Sequence, residues 1–243
     1  MKIKKNLNYL MLFTSIIVCA SFISCGDSDD NDDDFSLSPT EVTIKCKEQS
    51  PTIIANVVAD SWTIEDDFVA RIYAPQKNAS SCYVVGYHIG TTRIKATKGG
   101  KTVYATVTVN PTSTLYDTPV LDFSASKASI KSKENHVFTD EDEESLQYRY
   151  LSGTHECIVT YYFKEDKMTF VSVKIANYNE NEIKDFLSQR YQADSILEGL
   201  YINSSSRETA TLFVMEATST SKSGKSQLSL ITYFPDFSSS TSK

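Results

Sequence analysis

Five cysteines, three histidines and one tryptophan are few for a chain of 243 residues. The histidines (His88, His136 and His155) stand far apart, and no two cysteines of the folded part show metal-ligand spacing, so no metal site is expected. Eight glycines and six prolines are too few for a collagen-like or low-complexity chain. Basic charge is scarce as well. Against 31 Asp+Glu there are 24 Lys+Arg, a formal charge of −7, which argues against a nucleic-acid partner. Only one long apolar run exists, Leu10 to Ile23, which excludes a polytopic membrane protein. What remains is ordinary globular material, 40% hydrophobic, 23% charged and 11% aromatic, enough for two domains.

The apolar run follows Lys2, Lys4 and Lys5, and it is too short to span a membrane. A basic start before a short apolar stretch reads as a secretory signal over residues 1–24. It ends in Phe22-Ile23-Ser24-Cys25, which resembles a bacterial lipobox with Phe22 in place of the usual leucine. The resemblance implies cleavage between Ser24 and Cys25 and lipidation (palmitate-type acyl chains) on Cys25. Three acyl chains exceed the two signals that stable anchoring needs. Residues 25–35 then form a tether with six aspartates between Asp27 and Asp34. Such a segment repels itself and has nothing to bury. An acidic run just after the lipidated cysteine is similar to the surface-export signal of Bacteroidetes lipoproteins, which implies an outer-membrane protein facing the exterior. A solvated spacer without an address is the alternative.

Residues 36–111 hold seven short β-prone runs at intervals of roughly ten residues, the pattern of a β-sandwich. The clearest is the hairpin around Gly99-Gly100, where Val103, Ala105, Val107 and Val109 alternate with polar neighbours. The order Leu37-Ser38-Pro39-Thr40-Glu41-Val42, then Trp62, Phe68-Val69-Ala70, Gly86-Tyr87-His88-Ile89-Gly90 and Asn110-Pro111 resembles a group 2 bacterial immunoglobulin-like domain. That resemblance implies a spacer or binding module of surface and adhesion proteins, without catalysis. Trp62 reads as core and His88 as a turn residue. In an oxidising compartment Cys46 and Cys82 could pair, leaving Cys157 as a buried thiol.

Residues 112–243 read as an α+β domain with an antiparallel sheet, one or two helices and a polar tail at 238–243. The fold class expected for the whole chain is mostly β. Ser126 caps a short helix up to Glu134, and Asn179 with Glu182 opens a second from Glu180 to Tyr191. Ile183, Phe186, Leu187 and Tyr191 make its single apolar stripe. Strands are expected at 147–151, 157–163, 169–175, 200–203, 209–217 and 228–234. The layout is loosely similar to the repeats of β-lactamase-inhibitor-like periplasmic proteins.

No catalytic, cofactor-binding or metal-ligating residue is expected, and no cofactor. The run Asp140–Glu144 reads as a solvated turn, and His155-Glu156-Cys157 as strand residues with Cys157 buried. Ser223-Gly224-Lys225-Ser226 imitates a phosphate loop, but Ser219 stands where that loop needs glycine. Nine of the fourteen tyrosines lie in this domain. Tyr148, Tyr150, Tyr161 and Tyr162 are the candidate ligand contacts, against the reading that tyrosine is simply a good strand former. Asp194-Ser195-Ile196 matches a short O-glycosylation pattern at Ser195. The functional expectation is a non-enzymatic binding or adhesion module for a glycan or protein ligand, held to the membrane by its lipid. The alternatives are an accessory enzyme of polysaccharide degradation and a periplasm-facing inhibitor or assembly factor. By region the charge divides into an acidic tether, a sandwich with 8 basic and 6 acidic side chains, and a C-terminal domain with 13 and 19.

Overall fold

The computed structural model describes residues 35–74, 78–176, 178–220 and 227–236. Ser24, Cys25, the aspartates from Asp27 to Asp34, Ser223–Ser226 and the C-terminal tail lie outside the described residues. The described residues are mostly β, with two α-helices and sheets that are largely antiparallel.

Eight strands build the sandwich: β1 (Leu37–Ser38), β2 (Glu41–Lys45), β3 (Ile53–Ala55), β4 (Ser61–Ile64), β5 (Ala70–Tyr73), β6 (Ser81–Gly86), β7 (Gly90–Lys98) and β8 (Lys101–Asn110). They form two four-stranded sheets, β1-β3-β6-β5 and β2-β8-β7-β4. Period-2 alternation decides which side chains meet between them. In β2, Val42 and Ile44 are buried while Glu41, Thr43 and Lys45 face water. Ile53, Val84, Ile94 and Val107 fill the same core, each contributing roughly 1.5–3 kcal/mol on burial. Trp62 packs against this core and its indole N–H donates to the Ala79 carbonyl (2.9 Å). Gly99 and Gly100 both take positive φ, as the tight β7–β8 turn requires. β2 pairs with β8 in parallel, in contrast to every other described pairing.

Cys46 and Cys82 do not pair; both are free and buried, as is Cys157. The reason is placement. Cys82 lies in β6, whereas Cys46 follows β2 in the facing sheet and its Sγ lies 3.9 Å from the carbonyl oxygen of Gln189. Burial pushes the Cys82 thiol up to about 12 and that of Cys157 up to about 11.

The C-terminal body, hereafter the head, runs α1 (Lys127–Lys133), β9 (Val137–Glu141), β10 (Ser145–Ser152), β11 (His155–Lys164), β12 (Lys167–Ala176), α2 (Glu180–Ser188), β13 (Gln192–Ala193), β14 (Leu200–Ile202), β15 (Leu212–Thr220) and β16 (Gln227–Pro235). Its single sheet has the order β13-β14-β15-β16-β12-β11-β10-β9. A helix followed by four meandering strands thus occurs twice in succession. The two copies join through the antiparallel pairing of their last strands, with Val173 opposite Ile231. Ser126 caps α1 by accepting from Ser129 N–H, and Asn179 with Glu182 closes a full capping box on α2. α2 stops at Ser188, so Tyr191 lies beyond it, yet Tyr191 is still buried. Asp140 and Glu141 belong to β9, an edge strand that the acidic run hides in the sequence. β15 begins at Leu212 because residues 207–209 form a 3-10 turn.

The sandwich and the head have separate hydrophobic cores. Between them lies a polar joint centred on Gln189, which is 1% exposed. Its Oε1 accepts from Thr112 N–H (2.7 Å) and Ser113 N–H (3.2 Å), and its Nε2 donates to Asp185 Oδ2 (2.7 Å). Its carbonyl accepts from Ile89 N–H (2.7 Å). Beside it the Arg190 guanidinium donates to the carbonyls of Ser113 and Phe186 and lies 3.6 Å from the Phe186 ring centroid. One buried glutamine therefore satisfies both the linker and the sandwich, as buried amides must be satisfied.

Candidate functional site

The four tyrosines expected as ligand contacts divide across the sheet. Tyr148 (3% exposed) and Tyr161 (0%) belong to the core, which corrects the expectation for both. The physical reason is that α1 and the segment before it cover their face. The Tyr161 hydroxyl donates to Glu134 Oε2 (2.5 Å) and accepts from Val120 N–H (3.0 Å). Tyr150 shares that face; its hydroxyl is tied to Asp117 and its ring stacks on His136 (centroids 3.8 Å apart). Tyr162 alone stands on the opposite face, stacked on Phe170 (4.2 Å).

That opposite face carries neither helix, and register arranges it in three rows across the strands. The first is aromatic: Tyr162 on β11, Phe170 on β12, Phe234 on β16 and Phe213 on β15. Its two ends are stacked pairs, Tyr162–Phe170 and Phe213–Phe234 (5.9 Å). The row spans three strand spacings, about 14 Å. The second row is Thr160, Ser172 and Thr232, directly opposite one another, with Gln147 and Met215 at its ends. The third is Ile158, Lys174 and Leu230, followed by Ala217. Leu230 is 42% exposed, and beside Lys174 an apolar groove of about 300 Å³ runs along Leu228 and Ala217. Periodicity gave the alternation of these residues, but nothing local said which face the helices would cover.

A second feature is polar. The Glu134 side chain is 5% exposed. It accepts from Asn135 N–H (2.9 Å) and His136 N–H (3.2 Å), and His136 Nδ1 lies 2.6 Å from its Oε1, off the line of a hydrogen bond. His136 Nε2 stands 3.2 Å from Asp117 Oδ2. Asp117 also borders a cleft of about 700 Å³ that His155, Glu182, the linker and the β10–β11 turn complete. Glu182 is already bound to the Asn179 N–H of its capping box (2.9 Å). Cys157 is fully buried and faces away from chemistry, with its Sγ 3.9 Å from the His155 carbonyl oxygen. Among the described residues no group of three or more His, Cys, Asp or Glu is placed to hold a metal ion.

The acidic run and His88 are structural. Lys127 Nζ donates to the carbonyls of Asp142 and Glu143, and Lys131 pairs with Glu141 (2.6 Å), so two lysines of α1 hold the hairpin that the acidic run forms. Ser195 is exposed on a turn that Asp194 organises by accepting from Ile196 and Leu197 N–H (both 2.8 Å). Arg207 grips the Asp194 carboxylate with two donors and holds it well below the usual carboxylate range. His88 is buried and stacked on Phe68 (3.9 Å), and burial lowers its pKa. No described helix is long and apolar enough to cross a membrane.

No protein-family model and no curated protein matches the chain. Among solved structures, domains 5–6 of the S-layer protein SbsC match over 83% of each chain, at 14% identity and a TM-score of 0.30. A structure of SbsC domains 1–6 matches 81% of this chain and 21% of its own, at 13% identity and a TM-score of 0.29. Likeness at that level is too low to assign a fold or a function.

Proposed function

We propose that the chain is a lipid-anchored outer-membrane protein exposed on the cell surface, and that it binds rather than catalyses. The observation that carries this reading is the helix-free face of the head, with four half-buried aromatic rings beside the hydroxyls of Thr160 and Thr232. Rigid rings supply apolar contact area at low entropic cost, and hydroxyls adapt their hydrogen bonds. A flat face of that kind fits a glycan chain laid across the strands, with a protein ligand as the other outcome. The sandwich then serves as spacer. Pull-down of glycans and envelope proteins by the purified protein tests the reading, using Phe213→Ala/Phe234→Ala as the control. Capture by wild type and loss in the double variant supports it; equal capture by both counts against the face.

The second reading is an accessory enzyme of polysaccharide degradation. It draws on the cleft shared by Asp117, His155 and Glu182. Release of reducing ends that Asp117→Asn abolishes would favour it, and a wild-type protein that releases none would sink it. Protease shaving of intact cells separates both from an inhibitor or assembly factor facing the periplasm, which would survive the treatment.

A further inference from the structure

The sandwich has its own aromatic surface, on the side of the β1-β3-β6-β5 sheet turned away from its core. β6 buries Cys82, Val84 and Gly86, so Tyr83 and Val85 point outward, and Tyr87 continues that parity just beyond the strand. On β5, Arg71 and Tyr73 point the same way, with Tyr73 opposite Tyr83 and Arg71 opposite Val85. Tyr73 is 40% exposed and stacks on Tyr83, with centroids 5.3 Å apart and planes within 9°. The Tyr73 and Tyr87 hydroxyls meet at 3.2 Å. Arg71 Cζ lies 4.4 Å from the Tyr87 ring centroid.

Charge distinguishes this patch from an ordinary strand face. Arg71 has no carboxylate partner among the described residues, whereas Arg93 is doubly bonded to Glu65 and Lys98 is paired with Asp60. The outward strand residues of this sheet include no carboxylate. A guanidinium stacked on a ring keeps its planar fork free at the edge, and that fork matches a carboxylate in two parallel hydrogen bonds. Beside it lie tyrosine rings whose faces suit a flat, partly apolar ring. We infer that Arg71, Tyr73, Tyr83 and Tyr87 form a binding site for an acidic glycan, with a uronate carboxylate on Arg71 and its sugar ring against the tyrosines. An acidic peptide meets the charge but presents no rigid ring for Tyr73 and Tyr83. The site is separate from the helix-free face of the head and does not depend on it.

Titration of the full chain, purified in detergent, with polygalacturonate, dextran and polyglutamate tests the assignment. Polygalacturonate is expected to bind, with dextran and polyglutamate at least tenfold weaker. Arg71→Gln and Tyr73→Ala should each weaken polygalacturonate about tenfold or more, equivalent to about 1.4 kcal/mol. Arg71→Lys keeps the charge without the fork and should recover only part of the loss. Phe213→Ala/Phe234→Ala should leave this affinity unchanged, which separates the site from the face of the head. Equal binding of polyglutamate would reassign the patch to acidic peptides. Unchanged affinity in Arg71→Gln, or full recovery in Arg71→Lys, would overturn the site as described. Both residues are exposed, and an unchanged thermal melt confirms that each variant is folded.

Discussion

Tyrosine is used in opposite ways by the two bodies of this chain. In the sandwich Tyr73, Tyr83, Tyr87 and Tyr104 all keep contact with solvent, and two of them carry an arginine on their ring. In the head Tyr116, Tyr148, Tyr161, Tyr178, Tyr191, Tyr201 and Tyr233 are buried. The difference follows from what each core can satisfy. Two sheets face to face leave a layer about 10 Å thick that Val, Ile and Ala fill, with no acceptor for a phenol. The head packs helices and a long linker on its sheet, and these bring partners to several of the hydroxyls. Glu134 takes Tyr161, while Tyr116 and Tyr233 hydrogen-bond each other deep in the core. Strand propensity puts tyrosine in both bodies; the covering layer decides which tyrosines keep contact with solvent.

If the two cores are energetically separate, Phe186→Ala should lower the unfolding transition of the head by about 3–5 kcal/mol and leave that of the sandwich in place. Phe186 is fully buried beneath Tyr116 and Arg190. Calorimetry decides this, and a common shift of both transitions would break the comparison. Gln189→Ala strands the N–H groups of Thr112 and Ser113 and should cost about 1–3 kcal/mol. It should also pull the two transitions apart and speed alkylation of Cys46, whose thiol lies against the Gln189 backbone, ahead of Cys82 and Cys157. Alkylation of all three at one rate would mean that the joint does not isolate the cores. Asn179→Ala removes the cap of α2 and should cost about 1 kcal/mol, felt by the head alone in urea unfolding. The smallest effect concerns acid. Lys133, helped by Ser124, holds Asp122 down at about 2, below its ordinary 3.8. A carboxylate depressed in the folded state adds stability above its unfolded pKa, and that stability is lost as pH falls from about 4 towards 2. Asp122→Asn should flatten the head's unfolding curve in that window while the sandwich, where Gly99 N–H and Lys98 hold Asp60 down, keeps its slope.

Local signals explain what the sequence made legible. Asn179 and Glu182 form their capping box within four residues, Gly99-Gly100 turns its own hairpin, and the alternation from Val103 to Val109 needs no distant partner. Failures occur where a second layer decides. Tyr148 and Tyr150 share a face by parity, yet parity is silent on whether α1 covers it. Gln189 falls inside the helix expected from Glu180 to Tyr191 and off its apolar stripe, and only the arrival of the linker and Ile89 makes it the most satisfied residue of the joint. β9 disappears behind Asp140–Glu144 because an edge strand can carry charge that a central strand cannot. The repeat of helix and four strands has no residue pattern to betray it, because the halves share layout rather than residues and β13 and β14 are much shorter than β9 and β10.

The parallel pairing of β2 with β8 bears on how the sandwich takes load. The chain enters β2 at Glu41 and leaves β8 at Asn110, and the two strands lie side by side through five partner pairs, from Glu41–Thr106 to Lys45–Asn110. A pull that separates those two ends slides the strands along each other. The ladder between them is then strained as a set, whereas an antiparallel terminal pair would open one rung at a time. If the sandwich is the spacer proposed above, that geometry stiffens it along the one direction in which a pull on its two ends would stretch it.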